Sequence, residues 1–486
     1  MRGRQKSERV CAPCGETISS ALESRRLPSS WRWRRSPWDC YFLRAPWRPR
    51  EAGTCPSPTA RRPARSGPAI GAEGELPHGG PALTRSIGAI RAEFPGLVEG
   101  VVALDGAAGT LVPAAVIEAV ADAMRFAMAN VHGAFAASAR SGETVSSARR
   151  ALADLVGGRP EGVVLGPNMT TLTFHLANAL SAGWGSGDEV IVTSLDHDAN
   201  IRPWVRAAQR AGATLRWAEF DVASGELPAE NFDELIGERT RLVAVTAASN
   251  AIGTKPDVRA ITDRAHRVGA LAYVDGVHAT SHGPVDVEAL GADFYALSTY
   301  KLFGPHTGAV VAAPDLLERI SPAKLAPAPD AVPERFERGT PPFELLAGVA
   351  AAVDWLAGLS SAPGGRRERL RAALEAIEGH LEPMLQRALH GLGEIPGVRL
   401  LGSTRRRTST LSFVVDGISP EEVARRLAGR DISVWDGDNY AYELMDRFGL
   451  RESGGAVRAS IVLYNDSDDV DRLVEAVAEV SSQNRA

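Results

Sequence analysis

Short apolar runs alternate with amphipathic stretches along most of the chain after about residue 85. Most of these runs are apolar throughout, which is typical of strands covered on both faces of a sheet. They predict seven strands: GVVLG, EVIVTSL, TLRWAEF, RLVAVTAA, ALAYVDG, DFYALS and GAVVAA. Helices are predicted between many of them, over TTLTFHLANALSAG, NIRPWVRAAQRAG, PAENFDELIG and DVRAITDRAHRVG. This alternation predicts an α/β fold, a three-layer domain around a mostly parallel sheet.

A proline-rich segment, SPAKLAPAPDAVPERFERGTPPFE, interrupts the alternation. Two longer helices are predicted after it, around 344–360 and 365–391. Strand-like TSTLSFVVDG, ISVWDG and AVRASIVLYN then flank a helix, SPEEVARRLAGR, and a C-terminal helix follows. The second part is therefore expected to form a smaller α+β domain. The predicted boundaries are 100–340 for the large domain, and 85–99 with 341–486 for the small one.

Residues 1–80 differ from the rest in composition. They hold 15 Arg and Lys against 7 Asp and Glu, and all four cysteines of the chain. Their apolar residues do not recur with the spacing of a strand or a helix, so this basic leader is predicted to be disordered. A zinc site on these cysteines and an arginine-rich arm for nucleic acid are the alternatives. The irregular cysteine spacing and the overall net charge of −5 favour neither.

The apolar runs are too short to span a membrane, and none follows the basic start as a secretory signal requires. We therefore predict a cytoplasmic protein with no membrane partner. The net charge of −5 gives no argument for nucleic acid as a partner, and none is predicted.

Lysine is scarce in this chain, and Lys301 occupies an unusual place. Only four of the 54 basic residues are lysines: Lys6, Lys255, Lys301 and Lys324. An amine can lose its proton near neutral pH and attack a carbonyl, whereas a guanidinium cannot. Lys301 directly follows the predicted strand DFYALS, and open α/β sheets bind ligands at the carboxyl ends of their strands. It is thus a candidate nucleophile.

Polar side chains also follow other predicted strands. Asp275 ends the apolar strand ALAYVD, where a buried carboxylate needs a cationic or hydrogen-bonding partner. His278 and His282 come next, so the three residues could instead be metal ligands, or a capping aspartate with two incidental histidines. At this stage all three interpretations stay open.

Two further strand ends carry candidate ligand groups. His197 follows EVIVTSL and could be a base, a ligand, a stacking ring or an ordinary loop residue. Asn168, Met169, Thr170 and Thr171 lie where a strand turns into a helix, and free N–H groups at a helix start suit a phosphate. These residues could equally be a simple helix cap.

Taken together, the four features match one cofactor. Pyridoxal 5′-phosphate requires a phosphate site, a stacking partner, an acid for its pyridine nitrogen and a lysine for covalent attachment. No glycine-rich nucleotide loop competes, because GWGSGDEV precedes a strand rather than linking a strand to a helix. The sequence thus predicts a pyridoxal-phosphate enzyme without a metal.

Eight segments, in order, resemble the class V aminotransferase family of fold-type I, and most closely its cysteine desulfurase-like branch. They are LDGAAGT, NMTT, DHDANIRPW, ASNAIGT, YVDGVHA, STYKLFGPHTG, RFERGTPPFE and VRASIVLYN, within a resemblance that runs from about residue 85 to 480.

The resemblance implies a role for each matching residue. Lys301 would be the Schiff-base lysine and general base, Asp275 the partner of the pyridine nitrogen, and His197 the stacking ring that helps to move protons. The other implied contacts are Met169 (through its backbone), Thr170 and Ser298 with the phosphate, Asn250 and His278 near the 3-oxygen, Arg458 with the substrate carboxylate, and Thr340 with the phosphate of a neighbouring subunit. The last contact implies a homodimer.

Two positions depart from the family pattern. Tyr300 stands where relatives have a histidine before the lysine, and Tyr440 matches the cysteine that takes up sulfur as a persulfide. No cysteine lies beyond residue 80, and a phenol cannot replace a thiolate. We expect an amino-acid C–S lyase, aminotransferase or epimerase. The alternative is a true cysteine desulfurase or a selenocysteine lyase-type enzyme.

Overall fold

The protein is described by a computed structural model that covers residues 81–97, 100–403 and 405–485; the predictions for residues 1–80 lie outside these residues. The strands are β1 (Val102–Ala103), β2 (Val163–Gly166), β3 (Glu189–Thr193), β4 (Thr214–Ala218), β5 (Thr240–Thr246), β6 (Leu271–Asp275), β7 (Phe294–Ser298), β8 (Gly308–Ala312), β9 (Val398–Leu400), β10 (Thr410–Val415), β11 (Ile432–Ser433), β12 (Trp435–Gly437) and β13 (Ala456–Ser460). The α-helices are α1 (Ile87–Arg91), α2 (Ala114–Phe126), α3 (Ala136–Val156), α4 (Met169–Leu180), α5 (Arg202–Ala211), α6 (Val258–Arg267), α7 (Pro314–Glu318), α8 (Phe343–Ala357), α9 (Arg366–Gly393), α10 (Pro420–Ala428), α11 (Tyr442–Arg447) and α12 (Ser467–Arg485).

The seven predicted strands β2 to β8 form one sheet, in the order β2-β8-β7-β6-β5-β3-β4. The pairs among β7, β6, β5, β3 and β4 are parallel, and β8 runs antiparallel to both β2 and β7. Most side chains of these strands are buried, as expected for a sheet covered on both faces, whereas the edge strand β4 has an exposed Thr214 and is otherwise half-buried up to Ala218. The predicted mostly parallel sheet is confirmed.

Helices cover both faces of this sheet, so the domain has three layers. On one face α4 and α5 contribute Leu172, Leu176 and Trp204 to a core cluster that includes Val190 and Val192 of β3. The neighbouring residue Ile191 belongs to the cluster on the opposite face, because successive side chains of a strand point to opposite sides. That second cluster includes residues of α3, α6, α8 and α9.

The C-terminal part of the chain forms a smaller antiparallel sheet, with the strand order β12-β13-β10-β9. The short strand β1 pairs in parallel with β11, and Asp105 bridges to Ser460 at the end of β13. Residues 102–105 are thereby tied to the C-terminal strands. The largest core cluster extends over both sheets, and the division of the chain near residue 340 stays a prediction.

Two details differ from the sequence prediction. The segment PAENFDELIG forms only a 3-10 turn, Ala229–Phe232, so the predicted helix is wrong. The Asn231 side chain donates to the Glu219 carbonyl, a bond that a surface position on a continued helix would not provide. Helices α2 and α3 had no sequence prediction, and the alanine- and serine-rich sequence of α3 explains its weak apolar period. In the described part of the chain, none of the helices could cross a membrane.

Candidate active site

The carboxyl ends of β3, β5, β6 and β7 meet the start of α4 around one cavity, as expected for ligand sites of open α/β sheets. The cavity gathers eight of the predicted site residues: Met169, Thr170, His197, Asn250, Asp275, His278, Ser298 and Lys301. Asn168, Ala199, Thr246, Ala248, Val277 and Tyr300 complete its lining.

Lys301 ends a 3-10 turn that directly follows β7. Thr110, from the LDGAAGT segment, holds this turn: its N–H donates to the Tyr300 carbonyl at 2.9 Å, and its hydroxyl accepts from the Phe303 N–H at 2.7 Å. Phe303 has a left-handed backbone (φ 61°), and its buried ring packs edge-on against Phe94, Trp355 and Tyr464. The backbone on both sides of Lys301 is therefore fixed by distant segments.

Lys301 and Asp275 line the same cavity and are both buried, with only 5% and 4% of the residue exposed. Burial lowers the pKa of the Lys301 amine, the nearby Arg458 guanidinium lowers it further, and the Asp275 carboxylate opposes both. Burial raises the pKa of Asp275, although the Val277 N–H donates to its Oδ1 at 2.9 Å. The result is a lysine that can supply a neutral amine close to physiological pH.

The start of α4 carries backbone N–H groups at the cavity. Asn168 caps the helix by accepting from the Thr171 N–H at 2.8 Å, which leaves the first N–H groups of the helix directed to the cavity edge. The hydroxyl-bearing residues Thr170 and Ser298 line the same cavity. This arrangement suits a phosphate group.

Gly308 of β8 allows the close approach behind the start of α4. A Cβ atom at Gly308 would lie 2.4 Å from the backbone of Asn168 and Met169, nearer than atoms can approach. Gly308 also pairs with Ser298 of β7 and Gly166 of β2. One glycine therefore sets the position of the helix start relative to the sheet.

His197 holds a neutral ring at the cavity edge. Its Nδ1 accepts a hydrogen bond from the Ala199 N–H at 3.0 Å, so the proton of the neutral ring lies on Nε2. Burial lowers the pKa of His197 to about 3, and the cations of Lys301 and Arg458 add to this effect. A neutral ring of fixed tautomer is suited to stacking on a flat ligand.

Asn250 and Arg458 link the cavity to the smaller sheet. The Arg458 guanidinium of β13 donates to the Asn250 carbonyl at 3.0 Å and is 5% exposed. The Asn250 amide donates to the Asn439 carbonyl at 2.7 Å, while its buried Oδ1 has no hydrogen-bond partner in the described chain. An unpaired buried acceptor at the cavity indicates room for a ligand donor or water there.

His278 and His282 lie side by side, with ring centroids 4.7 Å apart. Ser409 donates its hydroxyl proton to the Ile461 carbonyl, so His282 Nδ1, 3.1 Å from that hydroxyl, must donate to it. His278 Nε2 lies 3.1 Å from the Thr408 hydroxyl. Within residues 81–97, 100–403 and 405–485, no three His, Cys, Asp or Glu side chains group as a metal site.

The buried histidines predict a loss of stability in mild acid. Burial lowers the pKa of His282 to about 3, so below pH about 6.5 the unfolded chain binds a proton that the folded chain does not. One such histidine lowers the free energy of unfolding by about 2 kcal/mol between pH 7 and pH 5. Denaturant titrations at both pH values should show a smaller pH difference for His282→Gln than for the parent, whereas His390→Gln, at an exposed position, should match the parent.

The sequence profile described as aminotransferase class V matches residues 102–473. The chain belongs to this family. It is 37% identical to an uncharacterized protein of Mycobacterium tuberculosis over 82% of this chain and 100% of the relative. It is 34% identical to a probable cysteine desulfurase of Mycolicibacterium paratuberculosis, over 81% of this chain but only 58% of that longer protein. The solved structure of a cysteine desulfurase from Thermococcus onnurineus superposes with a TM-score of 0.76 at 28% identity, covering 83% of this chain and 100% of that one.

Membership of the class V aminotransferases confirms the fold-type I prediction and makes the chain a pyridoxal-phosphate-dependent enzyme. The site fits this cofactor on its own evidence. The start of α4 and Ser298 line the cavity together with Asp275, a buried acid, and Lys301, a buried amine, and the buried Oδ1 of Asn250 has no partner in the described residues. These are the groups that the cofactor requires.

Two predicted site residues lie outside the cavity lining. Arg458 is held just behind Asn250, and Thr340 lies with Arg338 and His175 at a separate surface cavity. The sequence did not predict that Thr110 holds the turn at Lys301, or that Gly308 allows the start of α4 to approach the sheet. The signal for Thr110 was its place at the end of LDGAAGT, but its contact with residues 300–303 is about 190 positions away along the chain.

A methyl group at residue 308 should weaken cofactor binding. In Gly308→Ala the new Cβ must displace the backbone at Asn168 and Met169, which moves the N–H groups of the phosphate site. We expect the dissociation constant of pyridoxal phosphate, measured by absorbance titration, to rise on the order of tenfold or more, as for the loss of a charge-assisted hydrogen bond. Gly183→Ala is the matched control, because a Cβ there meets no atom within 4 Å. Equal affinity of both variants would contradict this function of Gly308.

Proposed function

We propose that the protein is a pyridoxal-phosphate enzyme that cleaves a carbon–sulfur bond of a small amino acid and releases the sulfur, without storing it on a cysteine of the part of the chain that forms the site. The Lys301–Asp275 pair carries this proposal, since both groups are buried at one cavity in which burial lowers the pKa of the amine. The names of two relatives, both called cysteine desulfurase, support a sulfur-containing substrate. Residues 81–486 contain no cysteine.

Each residue has a proposed task at the cavity. The cofactor supplies the electron sink that stabilises negative charge at the substrate α-carbon. Lys301 would hold the cofactor covalently and would serve as the general base for the α-proton, and Asp275 would stabilise the protonated pyridine nitrogen. Arg458, whose guanidinium donates to the Asn250 carbonyl, would bind the substrate carboxylate, and His197 would stack on the cofactor ring.

Further groups complete the proposed binding site. The N–H groups of Met169 and Thr170, with the Thr170 and Ser298 hydroxyls, would bind the phosphate, and Asn250 and His278 would contact the 3-oxygen. Burial lowers the pKa of His278 well below its usual range, so this ring acts as a neutral hydrogen-bonding group.

We further propose that two copies of the chain assemble. Apolar side chains remain exposed along α2 and the start of α3, where a partner would cover them: Ile117, Met124, Phe126, Met128 and Phe135. Thr340 would then reach the phosphate of the partner subunit. Light scattering should give the mass of a dimer, and Phe126→Glu together with Met128→Glu should shift it to that of a monomer.

The alternative function is a desulfurase or selenocysteine lyase that passes sulfur or selenium to an external acceptor. The names of the cysteine desulfurase relatives favour it. An aminotransferase or epimerase would use the same cavity, since these reactions also begin with removal of the α-proton.

Products from a panel of amino acids distinguish these reactions. The purified enzyme is incubated with cysteine, cystine, selenocysteine, alanine and other amino acids, and the products are identified. Elimination from cysteine predicts sulfide, pyruvate and ammonia in equal amounts. Alanine with a protein-bound persulfide, detected by mass spectrometry, would refute the proposal and establish a desulfurase. A new keto acid formed with a co-substrate, or loss of chirality alone, would establish an aminotransferase or an epimerase.

A further inference from the structure

Tyr440 lies flat against His197 at the entrance to the site. The two rings are nearly parallel, with an angle of 15° between their planes and centroids 5.4 Å apart. Tyr440 is 72% exposed, which is unusual for a large aromatic side chain. The stack therefore joins an exposed ring of the C-terminal part of the chain to a ring at the cavity.

The backbone beneath Tyr440 is anchored independently of its ring. The Tyr440 carbonyl accepts from the Asp198 N–H at 2.7 Å, and the Asn439 carbonyl accepts from the Asn250 amide at 2.7 Å. Both residues have left-handed backbones, with φ of 53° for Asn439 and 56° for Tyr440. Asn439 and Tyr440 are thus held in a strained backbone conformation by residues that follow β5 and β3. These bonds fix the position of the Tyr440 ring.

A second aromatic residue on the same segment has a different neighbour. The Tyr442 ring lies 4.0 Å from the Arg451 guanidinium and 5.5 Å from that of Arg202. Arg202 also forms an ion pair with Glu443. Tyr442 thus helps to dock the segment onto α5, whereas Tyr440 is the residue of this segment whose ring is stacked on His197.

Two contacts constrain the His197 imidazole, which lines the cavity. The Ala199 N–H donates to Nδ1 at 3.0 Å, and the Tyr440 ring stacks on the imidazole. A hydrogen bond and an aromatic contact therefore set the tilt of this ring at the cavity.

We propose that Tyr440 is a positioning residue that holds the His197 ring parallel to the cofactor. It acts through its aromatic face and not through its hydroxyl group. The inference rests on the proposed stacking role of His197 in the pyridoxal-phosphate site. It gives the residue at the position of the family's sulfur-accepting cysteine a task that requires no sulfur chemistry.

Three variants of the full-length chain test this role. Tyr440→Ala removes the stack, Tyr440→Phe keeps it without the hydroxyl, and Tyr442→Ala removes an aromatic ring from the same segment without touching His197. All three replacements retain a Cβ atom, so the backbone strain at residue 440 is unchanged. The measurements are the dissociation constant of pyridoxal phosphate, the visible circular dichroism of the bound cofactor, and kcat and KM for the best substrate.

Loss of an aromatic stack corresponds to about a 2- to 10-fold change in affinity. We expect Tyr440→Ala to raise the dissociation constant by about this factor and to reduce the visible circular dichroism, with Tyr440→Phe restoring both to the parent values. Unchanged values in Tyr440→Ala would overturn the proposal. So would an equal loss in Tyr440→Phe, which would indicate a role for the hydroxyl, or in Tyr442→Ala, which would indicate docking of the segment.

A measurement without cofactor separates this inference from the proposed function. Diethyl pyrocarbonate modifies neutral imidazoles, and mass spectrometry of peptides reports the rate at His197 in protein freed of cofactor. Tyr440→Ala should increase that rate about 2- to 10-fold, as expected for loss of the stack, while Tyr440→Phe should not. An unchanged rate would refute the stack even in an active enzyme. If the modification rate of His197 increases in Tyr440→Ala but the parent protein has no C–S lyase activity, the stack is supported and the proposed reaction is rejected.

Discussion

Lys301→Ala is expected to abolish the visible absorbance of covalently bound cofactor and to lower kcat on the order of 10³-fold, because it removes both the attachment point and the general base. The cofactor should still associate through the phosphate site and Asp275, as free pyridoxal phosphate. Absorbance spectra before and after dialysis, together with single-turnover rates, measure the two effects separately.

The scarcity of lysine makes the controls simple. Lys255 forms an ion pair with Glu378, so Lys255→Ala removes a lysine at a surface pair and should leave spectrum and rate unchanged. Lys301→Arg keeps a cation but has no amine that can deprotonate, and it should be as inactive as the alanine variant. Bound cofactor that survives dialysis of Lys301→Ala with its visible band intact would reject Lys301 as the attachment point.

Asp275→Asn should reduce kcat on the order of 10²-fold, because the amide cannot stabilise the protonated pyridine nitrogen as a carboxylate does. It should also change the titration of Lys301. The Asp275 carboxylate raises the pKa of the Lys301 amine, and its removal leaves only the lowering effects of burial and Arg458. In protein freed of cofactor, the pH midpoint for reaction of Lys301 with an amine-specific reagent, followed by mass spectrometry of peptides, should therefore move to lower pH.

Asp196→Asn is the matched control, since Asp196 is also a fully buried carboxyl at a strand end. Burial raises the pKa of Asp196 to about 8, so it is protonated at neutral pH and an amide resembles it closely. It lies among Thr193 and Asn200, and its replacement should change kcat less than tenfold. A larger loss in this variant than in Asp275→Asn would contradict the assignment of Asp275 to the pyridine nitrogen.

The sequence predicted the central sheet well because most of its strands are buried on both faces and so are almost entirely apolar, although β4 is only partly buried. The apolar runs also make the polar residues at their ends easy to recognise in the sequence, and Asp275, His197 and Lys301 are such residues. Their assembly into one cavity then follows from the parallel direction of the strands.

Other parts of the site were not predictable in this way. Thr110 acts through hydrogen bonds to Tyr300 and Phe303, and no local pattern marks a contact over such a sequence distance. Gly308 appeared to be an ordinary strand residue because its importance comes from the helix behind it. The Tyr440–His197 stack joins segments that fold into different sheets, so only the three-dimensional structure brings them together.

The pairing of Gly308 with Ser298 and Gly166 also has an evolutionary consequence. Lys301 and the phosphate site are both fixed by neighbouring strands of the central sheet, whereas Arg458 and Tyr440 belong to the C-terminal part of the chain. Residues of the smaller sheet and its loops other than Arg458 and Tyr440 can therefore change, and with them the amino acid that is accepted, while the distance between the two proposed cofactor anchors stays constant. A lineage with this fold can thus diversify its substrates by drift in the smaller sheet and its loops, with selection on the cofactor-holding strands left undisturbed.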